Sequence, residues 1–189
     1  MLSSDEYEYL RTFRDILDDD NIKVKQQVKK RLLDDKYIIH VLNNKELEEN
    51  DAEPADYFGV NILDYYLVPG TQTDVQNFVC FETAQEKYNG VMKLQQLIFY
   101  ILCDDKTIID ADTSLSRHDL LGALIKNIIN YDRFLGGRFA LIYDVPSIVD
   151  NHYVARTLKF QQKTDNNLVK TISGKPKIVN KDYTEATQI

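Results

Sequence analysis

A chain of 189 residues, 43% hydrophobic and 28% charged, with twelve Tyr, eight Phe and no Trp, is long enough for one core of ordinary size and too rich in apolar side chains for low-complexity disorder. A net charge of −7 speaks against a protein that grips DNA by its phosphates, which needs a dominant basic face. The longest unbroken apolar run, Leu97–Cys103, falls far short of the ~20 residues that span a bilayer, and the acidic start MLSSDEYEYL lacks an apolar signal core, so no membrane partner is expected and a soluble protein of a reducing cytoplasm is.

Residues 4–18 predict a first helix, with Ser4 as its cap and Tyr7, Leu10, Phe13 and Leu17 on one stripe. A second helix over about 21–34 places Val24, Val28 and Leu32 four residues apart, with Lys23, Lys25, Lys29, Lys30 and Arg31 on faces expected to be solvated. KYIIHVLNN reads as a strand with an Asn-Asn exit, in which His40 is a structural residue. An acidic loop follows over 44–57; its carboxylates Glu46, Glu48, Glu49, Asp51 and Glu53 form the densest acidic stretch of the chain. In YFGVNIL, Phe58, Val60 and Ile62 alternate with Gly59 and Asn61; Pro69–Gly70 mark a turn, and 72–77 is expected to be exposed.

Two strong strands come next, NFVCFETAQEKY and VMKLQQLIFYILCDD, joined by a hairpin signal at 89–91. The second ends apolar on both faces and so predicts cover on both. Cys80 and Cys103 lie in these runs as buried free thiols; neither has a His or Cys partner at metal spacing, so no metal or other cofactor is expected. GRFALIYDVP is a further strand ended by Pro146, with Phe139, Leu141, Tyr143 and Val145 inward. HYVARTLKFQQKT is the last, with Leu158 and Phe160 on one face and Thr157, Lys159 and Gln161 on the other.

Between these strand pairs lies TSLSRHDLLGALIKNIINY, a helix over about 115–131, with Gly136–Gly137 beyond its end. Ser116 and Asp119 form a near capping box, the serine oxygen accepting from the Asp119 N–H and the carboxylate favouring the positive helix end. Leu121, Leu124, Ile125, Ile128 and Ile129 then make the core stripe. Arg, His and Asp side by side imitate a catalytic cluster, but nothing supplies the nucleophile or metal such a pair requires. Arg117 is the residue a cap does not explain. A cation at a helix N-terminus needs an anionic partner, within the subunit or on a neighbour, which makes it a candidate subunit contact.

Beyond Asn166 the chain is polar and aperiodic, an extended arm over 166–189 whose apolar Leu168, Ile172, Ile178 and Tyr183 are further candidate subunit contacts. The whole reads as α+β: a single domain over 1–165 with a helical part at 1–36, a mostly antiparallel sheet packed against one long helix, and the arm. Asp64 and Glu82 on successive segments could be metal ligands of a nuclease, but FETAQEK lacks the acid-then-Glu-x-Lys spacing. No phosphate-cradling glycine loop or nucleophile elbow occurs. No enzyme activity is expected.

The strand pair, the helix start D-x-S-x-S-R-H-D-L-L-x-x-L-I (Asp112–Ile125) and the closing Y-V-A-R-T-L-K-F over about 75–162 resemble tailed-bacteriophage neck, tail-terminator and tail-completion proteins. The resemblance implies a non-enzymatic virion protein, made in the host cytoplasm, that forms a six- or twelvefold homo-oligomeric ring. Such a ring joins portal or connector to the tail or terminates the tail tube, contacting other neck, portal or tail-tube proteins. DNA passes through its lumen without specific binding, and the acids at 46–53 are candidates for the lumen wall. The alternatives are an adaptor protein outside a virion or a metal-dependent nuclease.

Overall fold

A computed structural model describes residues 3–12, 20–66, 76–86, 92–134, 137–149, 152–165, 168–170 and 176–178. The fold is α+β. Five strands make a mostly antiparallel sheet in the order β1-β2-β3-β7-β6: β1 (Ile62–Leu63), β2 (Phe78–Glu86), β3 (Met92–Asp104), β6 (Ala140–Ile148) and β7 (Tyr153–Asp165). Only β1 runs parallel to its neighbour. β4 (Arg133–Phe134) with β5 (Gly137–Arg138), and β8 (Leu168–Lys170) with β9 (Pro176–Ile178), form two separate two-stranded pairs.

One face of the sheet is covered by α2 (Asp20–Asp34), α3 (Lys36–Leu42) and α5 (Arg117–Ile129), not by one long helix. Val24, Val28 and Leu32 of α2, with Leu121, Ile125 and Ile129 of α5, are fully buried against Val79, Phe81, Leu97, Phe99, Ile101, Leu158 and Phe160. Each such side chain stabilises by about 1.5–3 kcal/mol through area removed from water. Leu124 and Ile128 border this core.

KYIIHVL is a helix, not the strand its β-branched run predicts. Asp35 caps it, accepting from the N–H groups of Tyr37 (2.9 Å) and Ile38 (3.3 Å), and Asn43 closes it in the left-handed region. Its buried residues Ile38, Val41 and Leu42 have helical spacing. The acidic stretch after it is also no open loop. Asn44 caps α4 (Lys45–Glu49) by accepting from Leu47 N–H at 3.2 Å, and a 3-10 turn covers Pro54–Tyr57.

Three buried asparagines tie this region to the sheet. Asn44 Nδ2 donates to Asn61 Oδ1 (2.7 Å), Asn61 Nδ2 to the Asn77 carbonyl (2.9 Å) and Asn77 Nδ2 to the Leu42 carbonyl (3.0 Å). Asn77 is therefore buried rather than exposed, and the expected alternation over 58–62 gives way: Asn61 is inside and Val60 outside.

The other corrections are local. α1 (Ser4–Thr12) is capped by Ser3, which exchanges bonds with Glu6, rather than by Ser4. Phe13 and Leu17 of its expected stripe, the 89–91 turn and Pro69–Gly70 lie outside the described residues, as do Ile172 and Tyr183. The basic face of α2 is not simply solvated: Lys25 binds Glu82, Lys29 stands 3.5 Å over the Phe58 ring, and Arg31 pairs with Asp132. β6 runs through Pro146 to Ile148, because an edge strand tolerates a residue without an N–H. One extra residue between Leu141 and Tyr143 bulges β6, so the register passes from Leu141↔Phe160 to Tyr143↔Lys159 and the side chains change face. Phe139 is thus buried as expected, while Tyr143 and Val145 are exposed.

Candidate functional site

The start of α5 sets Arg117, His118 and Asp119 side by side, and the chain buries the first, half-buries the second and leaves the third exposed. Arg117 is 6% exposed. Its Nη2 lies 3.1 Å from Asp110 Oδ1, its Nε donates to the Thr107 carbonyl (2.9 Å) and its Nη1 to the Val41 carbonyl (3.0 Å). The anionic partner Arg117 required is therefore within the subunit, and its buried side chain is not turned toward a neighbour. One guanidinium joins the end of α3, the 105–116 connection and α5.

Asp110 is equally enclosed. Its Oδ2 accepts from the Thr113 hydroxyl (2.7 Å) and N–H (3.0 Å). The Thr113 hydroxyl bond, with the Thr113 N–H and Arg117, holds its carboxyl below the usual range against the opposing effect of burial. His40 and Asp112 lie beside it, close enough that one atom from each of the three could meet a common cation. Asp110 is nevertheless already bonded on both oxygens, and the adjacent guanidinium opposes a second positive charge. His40 Nε2 instead stands 3.2 Å from Asp112 Oδ2 at the surface.

Ser116 occupies the N-cap position, but its hydroxyl donates to the Asp119 carboxylate instead of accepting from the Asp119 N–H. That N–H goes to the Ser116 carbonyl at 3.1 Å. Asp119 is shared with β7: Arg156 Nη1 lies 2.5 Å from Asp119 Oδ1, Arg156 Nε 2.7 Å from Asp144 Oδ1, and Lys126 Nζ 2.7 Å from Asp144 Oδ2. Asp144 lies low despite burial, because Lys126 and Arg156 outweigh it. Gly122 makes room for this chain of charges, since a Cβ there would lie 2.8 Å from Arg156 Cδ. His118, mostly buried, has its basicity lowered by desolvation, with Asp119 opposing and Arg156 adding to the shift.

The other groups singled out from sequence are dispersed. Lys25 gathers Asp64 and Glu82, the first through its backbone carbonyl (2.8 Å) and the second through its carboxylate (2.5 Å), so Glu82 is committed to an ammonium. Cys80 and Cys103 are buried free thiols, Cys103 pushed up to about 12 by burial. Glu46, Glu48 and Glu49 stand on α4, Asp51 in a left-handed turn and Glu53 before the 3-10 turn, all exposed. Leu168 pairs with Ile178 across the β8–β9 hairpin. No helix among the described residues is long and apolar enough to cross a membrane.

What the sequence does not show is the exposure of the outer strand. β6 borders the sheet, and Ile142, Tyr143, Val145, Ile148 and the adjoining Val149 are all exposed, Ile148 at 81%. Beyond it the second face of the sheet divides. At one end Leu63, Phe78, Cys80, Leu102, Tyr153 and Ala155 form a small buried cluster, with Tyr66 edge-on to Tyr100 at 4.8 Å. Toward β6, Ile98 and Tyr100 are half-buried. The apolar series of β6 was visible in sequence, but the bulge that turns it outward was not.

A profile of the YomW family matches residues 35–162, from the cap of α3 through the core of β7. No curated protein matches the chain. The matched span is well over half of the chain and contains the Asp110–Arg117 pair, the asparagine ties and all of the sheet but the end of β7. The chain thus belongs to the YomW family, named after the product of a Bacillus phage region, and is a phage-associated protein.

Proposed function

We propose that this chain is a structural subunit of a phage particle at the head–tail neck. Copies form a six- or twelvefold ring that joins the portal or connector to the tail or terminates the tail tube, and DNA passes through the lumen. The chain is made in the host cytoplasm, ends in the virion, needs no cofactor and transforms no substrate. Phage association supports the setting. The observation that carries self-association is β6: an outer strand exposing Ile142, Tyr143, Val145, Ile148 and Val149 in a series is a surface that soluble monomers rarely leave open. The acids of α4 and its flanks suit a lumen wall, where like charge keeps DNA from sticking.

Electron microscopy of the purified chain, alone and with tail tubes of the same phage, tests this. Rings are expected free or docked at tube ends, with α4 toward the hole. Monomers in both samples overturn the reading, and α4 on the outer wall overturns the lumen assignment alone.

A further inference from the structure

α1 presents its apolar stripe to the outside. Every described side chain from Ser3 to Arg11 is exposed, including Tyr7 at 48% and Leu10 at 52%, which share one stripe. Nine residues are too few for a stable isolated helix in water. A helix of this length with an apolar stripe persists when something covers the stripe, and among the described residues Tyr7 and Leu10 are left about half exposed.

The sheet has the converse feature. On its second face, near β6, Tyr143 and Val145 are exposed and Ile98 and Tyr100 half-buried. Charge fits as well. α1 carries Asp5, Glu6 and Glu8 against Arg11, which is paired with Glu8. The sheet face carries Lys159, 5.2 Å from the Tyr143 ring centre, and exposed Lys163; Glu82 on that face is neutralised by Lys25, leaving Glu86 at the end of β2.

We propose that α1 of one copy seats Tyr7 and Leu10 on the second sheet face of the next copy, over Tyr143 and Val145, with its acidic flank toward Lys159. The two halves of this contact are different surfaces of one chain, so it is head-to-tail, the kind that closes into rings when the rotation permits. The inference rests on the self-assembly proposed above and names the contact that makes it.

Sedimentation equilibrium of the wild type, Tyr7→Glu, Tyr143→Glu and a mixture of the two variants tests it, with circular dichroism as a check that each folds. The wild type is expected to rise with concentration well above the monomer mass of 22.0 kDa. Each variant alone stays at that mass, and the mixture stops at two chains because it contains one intact pair of surfaces. A Lys159→Glu, Glu8→Lys double variant recovers the assembly that Lys159→Glu weakens. Assembly of Tyr7→Glu like the wild type overturns the seat while leaving the ring reading standing. A wild type that stays monomeric overturns both. A Tyr7→Glu chain that loses stability as a monomer, without any change of mass, overturns the seat in favour of an intramolecular one.

Discussion

Arg117 and Asp110 are both buried and pair with each other. Breaking such a pair from one side leaves an uncompensated buried charge, at about 3–5 kcal/mol. Arg117→Met is therefore expected to lower the unfolding free energy measured by urea titration by that amount, and Arg117→Met with Asp110→Leu to recover part of it. His118 contributes in the same direction on acidification. Its folded value lies below the ordinary 6.5, so the unfolded chain binds a proton first as pH falls. The stability this group gives is complete above 6.5 and is lost toward its lower folded value. Urea midpoints of the wild type should fall more steeply from pH 7 to 5 than those of His118→Asn. In sequence Arg117 announced that it needed an anion, but the anion was hidden. Asp110 lies in DADTS among other acids, and only the turn that brings Thr113 onto it marks it out.

At the scale of elements, α5 shows how a helix interior accepts a glycine. Gly for Ala in a helix costs about 1 kcal/mol, but a Cβ at 122 would displace Arg156 from Asp119 and Asp144. Gly122→Ala should thus stabilise in an Arg156→Ala background and fail to do so in the wild type, a non-additivity that thermal melts of the four variants can measure. The core stripes of α2 and α5 and the antiparallel β2–β3 pair were legible in sequence because their periods are long and unbroken. α3 was not: seven residues of Tyr, Ile and Val look like a strand unless Asp35 and Asn43 are read as caps. β6 was misread beyond Leu141 because one bulged residue reverses the faces and leaves no mark on the alternation. In sequence Asn44 reads as a turn residue, Asn77 as an exposed one and Asn61 as facing away from Phe58 and Ile62, since nothing local shows that distant amides will meet.

For the whole molecule, the helical layer closes one side of the sheet and leaves part of the other side open. In the arm over 166–189 the described strands β8 and β9 pair with each other and not with the five-stranded sheet, so removing the arm is expected to change the unfolding free energy by no more than about 1 kcal/mol while reducing assembly. Calorimetry and sedimentation of the truncated chain measure the two effects separately. Unchanged assembly would remove the arm from the interface.

Pro146 bears on what kind of growth that open border allows. Its ring nitrogen can donate to no incoming backbone, so a foreign strand laid along β6 would lack a rung near the C-terminal end of the strand. The apolar side chains around it remain available, whereas continuous sheet extension does not. If copies associate as proposed above, this border favours contacts through side chains over the strand-on-strand stacking of a fibre.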